Sequence, residues 1–530
     1  MPETPSDLTV VLQRLERIEA ELAAAKAELA RKDQIIAALQ QRLFGSKSER
    51  LDPGQLDLMF EEALLGKPEP LPDQPAGSEE APVDARAKRN RRTKAELYPR
   101  NLRVQIVAEL VPEEVQAEPD AYREIEPEHH DELEVKRGEL YWRRTVRRKF
   151  VSVADRSQPP MIEPAPLPTV PGTLIGACLA AQIVADKYVD FLPHYRQSAR
   201  FRRLYGAELS RQTINRWTHA VAAHLEPIGE AIKAELTEAG VLQIDETPID
   251  YLCPGHGRTK TGYYWVYLDP QRGTVYYDWQ LSRGHECLGE ILGIDKGSGT
   301  ARFSGTIQCD GYAAYTTFVS RYGPIKLTAC LAHIRRKFLE AWKEAPETVL
   351  PILLAIQRLY EIEAQLRQSQ APPEWRRSFR LAHSRPIVGE LKAAIIEKRS
   401  SHLPRSLMGE ALDYALAQWE RFEAYLWDGR LEIDNNLVEN AIRPTKLGLK
   451  NHLFIGGAEA GAASALLYTL VANCKAVGID PEWYLAEAIR RLRPGTTREE
   501  IAGLTPARLA PVLRAERLAG ESAVDQAAAA

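Results

Sequence analysis

Val241-Leu242-Gln243-Ile244-Asp245-Glu246-Thr247 is the stretch on which the fold turns. A mostly apolar run leads straight into two acids, which reads as a central strand that ends by presenting a carboxylate. Two other stretches match it. Thr306-Ile307-Gln308-Cys309-Asp310-Gly311-Tyr312 repeats the pattern of a short strand closed by an acid, and Asp434-Asn435-Asn436 followed by Glu439 puts acids at the start of a helix. Hard oxygen ligands from separate elements can hold two divalent ions, which clamp the attacking and leaving oxygens of an in-line displacement at phosphorus. The three stretches together point to a metal-dependent site for cutting and joining DNA.

Working outward from Asp245, residues 262–268 and 274–279 read as strands, with Gly255, Gly257 and Gly273 in the turns, so three consecutive antiparallel strands are expected. A helix over 285–292, a strand ending at Asp310 and a last strand over 325–330 complete the order of a multidomain α/β protein with a ribonuclease H-like catalytic core. Residues 341–427 read as an all-helical insertion punctuated by Pro372-Pro373, Pro386 and Pro404. This splits the core into 239–340 and 428–478 and leaves a C-terminal helical tail over 479–530.

Upstream, Leu8, Leu15, Leu22, Leu29, Ile36 and Leu43 fall at one heptad position, and Val11, Ile18, Ala25 and Leu39 at the other, with Lys32 as the single charged interruption. This predicts a coiled coil and following helix over 1–66, with homo-oligomer formation through residues 8–43; a helix folded back on its own chain is the alternative. Residues 67–95 read as a basic, Pro-rich linker, and 96–160 as a small β-rich module with a hairpin around Arg137-Gly138. Residues 161–238 read as a helical helix-turn-helix region. Within it Ser210 caps a helix whose first turns present Arg211, Gln212, Thr213, Asn215 and Arg216, while Ile214 and Trp217 face inward. A plain helical hairpin is the competing reading.

The net charge of −4 over 530 residues gives no reason by itself to expect a nucleic-acid partner, but basic residues cluster at 86–94, 143–149 and 196–216. Six scattered cysteines form no CxxC pair. Cys330 and His333 supply only two donors, so no zinc is expected. No run of eighteen apolar residues occurs and the first twenty residues are charged, which predicts a cytoplasmic, nucleoid-associated protein with no membrane partner.

In the site itself, Asp245 and Asp310 are expected to bridge one ion, with Glu439 as third ligand and Glu246 and Asp434 as its competitors. Pro444 is expected to bound the helix that carries Glu439. Arg443, Lys446 and Lys450 would lie near phosphates, and His333, Arg335 and Arg336 would support the site or contact DNA.

Asp245-Glu246-Thr247-Pro248, Asp310-Gly311-Tyr312, residues 332–338 (Ala-His-Ile-Arg-Arg-Lys-Phe) and Asp434-Asn435-Asn436 with residues 439–444 (Glu-Asn-Ala-Ile-Arg-Pro) resemble the motifs of insertion-sequence family sixty-six transposases. Residues 43–50 (Leu-Phe-Gly-Ser-Lys-Ser-Glu-Arg) and 453–457 (Leu-Phe-Ile-Gly-Gly) extend the resemblance over nearly the whole chain. It implies an Asp, Asp, Glu triad at Asp245, Asp310 and Glu439 that uses Mg²⁺, with Mn²⁺ as a substitute. It also implies binding of double-stranded DNA, both the element's terminal inverted repeats and target DNA, and small accessory proteins of the same element. One departure stands out: members often carry a cysteine-bearing zinc module before the helical region, yet residues 110–153 contain no cysteine, so zinc is not carried over. Two other readings stay open: a ribonuclease H-like nuclease or resolvase without strand transfer, and a non-catalytic coiled-coil DNA-binding regulator.

Overall fold

The computed structural model describes residues 138–141, 149–150, 161–162 and 167–529 apart from 254, 256 and 296, all within a unit that runs from Leu133 to Ala530. The expected coiled coil, the linker, the basic clusters at 86–94 and 143–148 and the hairpin turn at Arg137 lie outside the described residues. Of the β-rich module, Lys149–Phe150 pairs antiparallel with Met161–Ile162.

The described chain is mostly helical around one mixed sheet of five strands: β1 (Val241–Tyr251), β2 (Lys260–Leu268), β3 (Val275–Gln280), β4 (Thr306–Gln308) and β5 (Lys326–Thr328). Their order is β3-β2-β1-β4-β5; β1, β2 and β3 pair antiparallel, while β4 joins β1 and β5 joins β4 in parallel. β2 shows why the sheet is central. Its aromatic run alternates so that Trp265 and Tyr267 enter one core while Tyr264, Val266 and Leu268 enter the other. A sheet apolar on both faces must be covered on both.

Helices α1 (Ala177–Tyr188), α2 (His194–Tyr205) and α3 (Arg211–Thr237) precede the sheet. One face is closed by α3 and by helices that follow. The other is closed by α4 (Leu288–Leu292) and α5 (Ala313–Tyr322), with Leu288, Ile291, Tyr315 and Phe318 buried against Trp265. After β5, α6 (Leu331–Ala341) leads into α7 (Pro346–Gln368), α8 (Pro373–Phe379), α9 (Arg385–Arg399) and α10 (Leu407–Glu423). Pro386 does not break this run, because a π-helical turn over Arg380–Ser384 carries α8 into α9 and absorbs the missing donor.

The chain returns to the sheet as α11 (Asn436–His452) and α12 (Ala458–Ala476). β3 is an edge strand, and α12 covers it with side chains that imitate a neighbouring strand. The Asn473 side chain accepts the Val275 N–H at 3.1 Å and donates to the Val275 carbonyl at 2.6 Å, and Thr469 Oγ1 accepts the Tyr277 N–H at 2.9 Å. The last helices are α13 (Pro481–Arg491), α14 (Arg498–Gly503) and α15 (Pro506–Ala529). Leu485, Ile489, Leu509 and Leu513 share the buried cluster of Val266 and Ile249, so these helices are built into the main core. Among the described residues no single helix is long and apolar enough to cross a membrane; α12 and α13 reach that hydropathy only as a pair bent by 117°.

Candidate active site

Strand register brings the first two carboxylates together. β1 and β4 pair in parallel with Gln243 opposite Gln308, and two residues further along each strand come Asp245 and Asp310. Neighbouring strands lie about 4.8 Å apart, and residues two apart share a face. Asp245 therefore shares the face of Gln243, and Asp310 follows just past the end of β4, close enough for its charge to act on Asp245. β1 itself does not end at Asp245, as the sequence reading had it. Its antiparallel pairing with β2 continues to Tyr251, while its pairing with β4 stops at Gln243 and opens a gap on that side.

The glutamine face fixes the third element. Gln243 Nε2 donates to Gln308 Oε1 and to the Asp434 carbonyl, both at 2.9 Å, and Gln243 Oε1 accepts the Val438 N–H at 3.3 Å. Gln308 Nε2 donates to the Glu432 carbonyl at 2.6 Å, and Asn435 Nδ2 donates to the Ile244 carbonyl at 3.0 Å. All three amides are fully buried, so each of these bonds replaces one that water cannot supply. The N-terminus of α11 is thereby locked to the strands bearing Asp245 and Asp310, with Glu439 in its first turn.

The helical run secures the same return path from the other side. Arg380, fully buried, donates from Nε and Nη2 to the two carboxylate oxygens of Glu363 at 2.7 Å each, and it also reaches the carbonyls of Tyr425, Asp428 and Leu431. Arg376 bridges Glu363 and Glu432. Burial alone would push the Glu363 carboxyl up, but the bonds and charge of Arg380 and Arg376 hold it below its ordinary value. Tyr414 of α10 lies against Gly311, where an added Cβ would sit 3.0 Å from its hydroxyl, so the helical run also roofs the Asp310 turn.

The electrostatics register the convergence. Burial, followed by the charges of Glu246, Asp310 and Glu439, pushes the Asp245 carboxyl up to about 8. A buried acid loaded in this way by its neighbours' charges is one that a bound cation would relieve. Oε1 of Glu439 is buried without a hydrogen-bond partner, and Oε2 has only Arg336 at 3.8 Å. His333 Nε2 stands 3.9 Å from Oε1, and burial, then Arg336, lowers the imidazole pKa and favours its neutral form. Asp245, Asp310 and Glu439 offer oxygen donors of the kind a hard divalent ion such as Mg²⁺ takes, while among the described residues the three donors that all lie within 4.8 Å of one another are those of Cys330, His333 and Glu439.

The two competitors are otherwise engaged. Glu246 points to the opposite face of β1, where Tyr315 donates to Oε2 at 2.7 Å and Arg283 to Oε1, with the Arg283 guanidinium stacked 4.0 Å from the Tyr312 ring. Asp434 spends both oxygens on the Asn436 backbone N–H and side-chain amide. Pro444 lies inside α11, which continues to His452, contrary to the expected boundary. Nearby carbonyls find other donors, the Tyr277 hydroxyl at Ala441 and Thr445 Oγ1 at Ile442.

Of the residues expected near phosphates, Arg443 and Lys450 are exposed on α11, while Lys446 donates to the Pro248 carbonyl at 2.8 Å and so ties α11 to β1. Arg335 and Arg336 follow His333 on α6. On α3, Ser210 accepts the Thr213 N–H, Arg211, Gln212, Asn215 and Arg216 are exposed, Thr213 is half-buried and Ile214 is buried. The helix runs to Thr237, and its second half packs in the main core. Gln243, Gln308, Asn435 and Arg283 were missed. The sequence held a signal for the glutamines: each precedes its aspartate by two residues in a matching Gln-x-Asp, a polar side chain inside an otherwise apolar strand.

A family model described as "Transposase IS66 family" matches residues 172–463, over half of the chain. The chain belongs to the IS66 family of transposases. A second model, described as "Transposase C of IS166 homeodomain", matches residues 33–107, which lie outside the described ones. Two Sinorhizobium fredii proteins, both described as uncharacterized, are similar along nearly their whole length. Protein y4jD is 30% identical over 87% of this chain and 91% of its own, and y4qI is 31% identical over 92% and 93%. IS66 membership supports a transposase role, and with the homeodomain match it points to DNA binding and use of a divalent metal.

Proposed function

We propose that this IS66-family chain cuts and joins DNA at Asp245, Asp310 and Glu439 within a ribonuclease H-like core, with residues 341–427 as its helical insertion. What supports the reading is the register that sets Asp245 and Asp310 two residues past paired glutamines, with the start of α11, which carries Glu439, hydrogen-bonded to Gln243. The strand order β3-β2-β1-β4-β5 and the position of Glu439 on a helix that returns after the helical run are what such a core requires.

Bound Mg²⁺, or Mn²⁺ in its place, would supply the positive charge that stabilises the attacking and leaving oxygens of a phosphodiester. Asp245 on β1 and Asp310, two residues past the end of β4, would hold the ion from adjoining strands, and Glu439 offers the unpartnered Oε1 from α11. His333 and Arg336 stand beside Glu439 and, with Arg335 of the same helix, would orient the scissile strand. Arg443 and Lys450 would bind phosphate further along α11, and Arg211, Gln212, Thr213, Asn215 and Arg216 would read the element's ends. The residues at 8–43 would pair protomers so that two ends are processed together, with small accessory proteins of the element as further partners.

The test is incubation of the full chain with Mg²⁺ and DNA carrying the ends of its own element, scored for nicks at those ends, and then with pre-cleaved ends, scored for joined products. Nicks and joined products that Asp310→Asn abolishes while gel-shift binding persists are the expected result. Nicking without joining would favour the nuclease or resolvase, and binding without nicking the regulator.

A further inference from the structure

We infer that Cys330, His333 and Glu439 form a second metal site, one that takes a thiophilic divalent ion such as Zn²⁺ and draws Glu439 away from the carboxylate trio. Cys330 and His333 gave only half a site in the sequence, and the fold supplies the third donor. One ligand atom from each of the three residues lies within 4.8 Å of the others. The edge of a tetrahedron around Zn²⁺ bound by sulfur, nitrogen and oxygen at about 2.0–2.3 Å is roughly 3.5 Å, so the cluster needs to close by only about an ångström.

Local structure explains why the three donors meet. Cys330 is the N-cap of α6 and His333 stands three residues on, so both side chains rise from the same side of the helix start. Burial, then the charge of Asp434, pushes the Cys330 thiol up to about 12, so the thiolate forms only as an ion displaces its proton, and Sγ already accepts the Asn435 N–H at 3.2 Å. That bond joins Cys330 to the segment that carries Glu439. Two of the donors have a buried atom without a partner, Glu439 Oε1 and His333 Nδ1. The side chains of His333 and Glu439 are 18% and 28% exposed, which leaves an approach for the ion and a fourth position for water. Arg336, 3.8 Å from the other Glu439 oxygen, is over half exposed and free to swing outward.

The chemistry separates this site from the hard one. Sulfur and imidazole select Zn²⁺ or Co²⁺ over Mg²⁺, whereas the trio of carboxylates suits Mg²⁺ or Mn²⁺. Binding exchanges the Cys330 thiol proton for the ion and releases that proton to solvent, with no change of oxidation state. Because Glu439 serves both sites, filling one weakens the other; this consequence rests on the proposed role of Glu439 in the trio, whereas the site itself does not.

The test uses the full-length, metal-free chain. Co²⁺ titration should give a near-ultraviolet thiolate-to-cobalt charge-transfer band that saturates at one equivalent, is displaced by Zn²⁺ and resists excess Mg²⁺. Cys330→Ser should abolish the band, and Glu439→Gln should weaken Co²⁺ binding at least tenfold. The double variant Cys178→Ser/Cys253→Ser, which removes the two cysteines that are not buried, should keep it. Circular dichroism confirms that each variant is folded. A band that survives in folded Cys330→Ser, or vanishes with the double variant, overturns the site. In a second arm, prior loading with Zn²⁺ should lower Mn²⁺ affinity at least tenfold in the wild type but not in Cys330→Ser, read by electron paramagnetic resonance. A normal Co²⁺ band with Mn²⁺ binding indifferent to Zn²⁺ would overturn the shared use of Glu439, and with it the trio, while keeping the site.

Discussion

At Asp245 the proposed function opposes stability. Its ordinary carboxyl value is 3.8, and burial, then Glu246, Asp310 and Glu439, push it up to about 8 in the folded chain. Between those values the folded state keeps a proton that the unfolded state has released, so stability of the metal-free protein falls as pH rises through that window. Asp245→Asn removes the charge while keeping the shape. It should stabilise the metal-free protein at pH 8 by about 1–3 kcal/mol and have little effect near pH 4. Thermal unfolding at both pH values checks this, and Mg²⁺ should raise the wild-type Tm at pH 8 but leave the variant unchanged. Gln243 carries the complementary prediction. Gln243→Leu strands the Gln308 side chain and the Asp434 carbonyl, which should cost about 1–3 kcal/mol and lower nicking more than DNA binding, as Glu439 loses its register. The acids stood out in the sequence as an ordered set, two after apolar runs and one at a helix start, since any one alone reads as a turn former or a helix ion pair. The glutamines did not, since a lone amide in a strand reads as an outward-facing residue until its partners from 190 or so positions away are known.

At the scale of elements, the order of strands and helices was legible from alternation and turn residues, and the bounds were not. β1 runs to Tyr251 because β2 continues to pair with it, a long-range cause that no local window contains. Pro386 and Pro444 looked like boundaries because each removes a donor. A π turn and neighbouring side-chain donors make them tolerable, and only tertiary structure supplies those. The helical run earns its place through Arg380. Arg380→Met leaves Glu363 buried with only Arg376 to pair it and should cost about 3–5 kcal/mol, read as a lower urea midpoint. For α3, the exposed first turn fits a DNA-reading role, while the long second half is core. Arg211→Ala and Arg216→Ala should each weaken binding to the element's ends and reduce the slope of log affinity against log salt by about 1, with folding unaffected. An unchanged slope would return α3 to a plain helical hairpin.

Across the whole molecule, the sheet collects three distant parts of the sequence because both of its faces are apolar and both must be covered. One core is closed by α4 and α5; the other is closed by α1, α3, α12 and the C-terminal helices, so a tail in the sequence becomes a wall of the core. That need to cover both faces is also why residues 65 and 194 positions beyond Asp245 end beside it: Asp310 arrives on the parallel strand and Glu439 on the helix that returns after the insertion. Net charge, a property of the entire chain, gives no sign of a DNA partner, whereas the basic residues on α3, α6 and α11 are where the proposed contacts would fall. The measurement that bears most directly on the convergence is anomalous diffraction from crystals of the full chain soaked in Mn²⁺. Peaks about 2.1 Å from carboxylate oxygens of Asp245 and Asp310, with Glu439 ligating one of them, are the expected result. Mn²⁺ bound by the aspartates with Glu439 turned away, or bound elsewhere altogether, would contradict the proposed site.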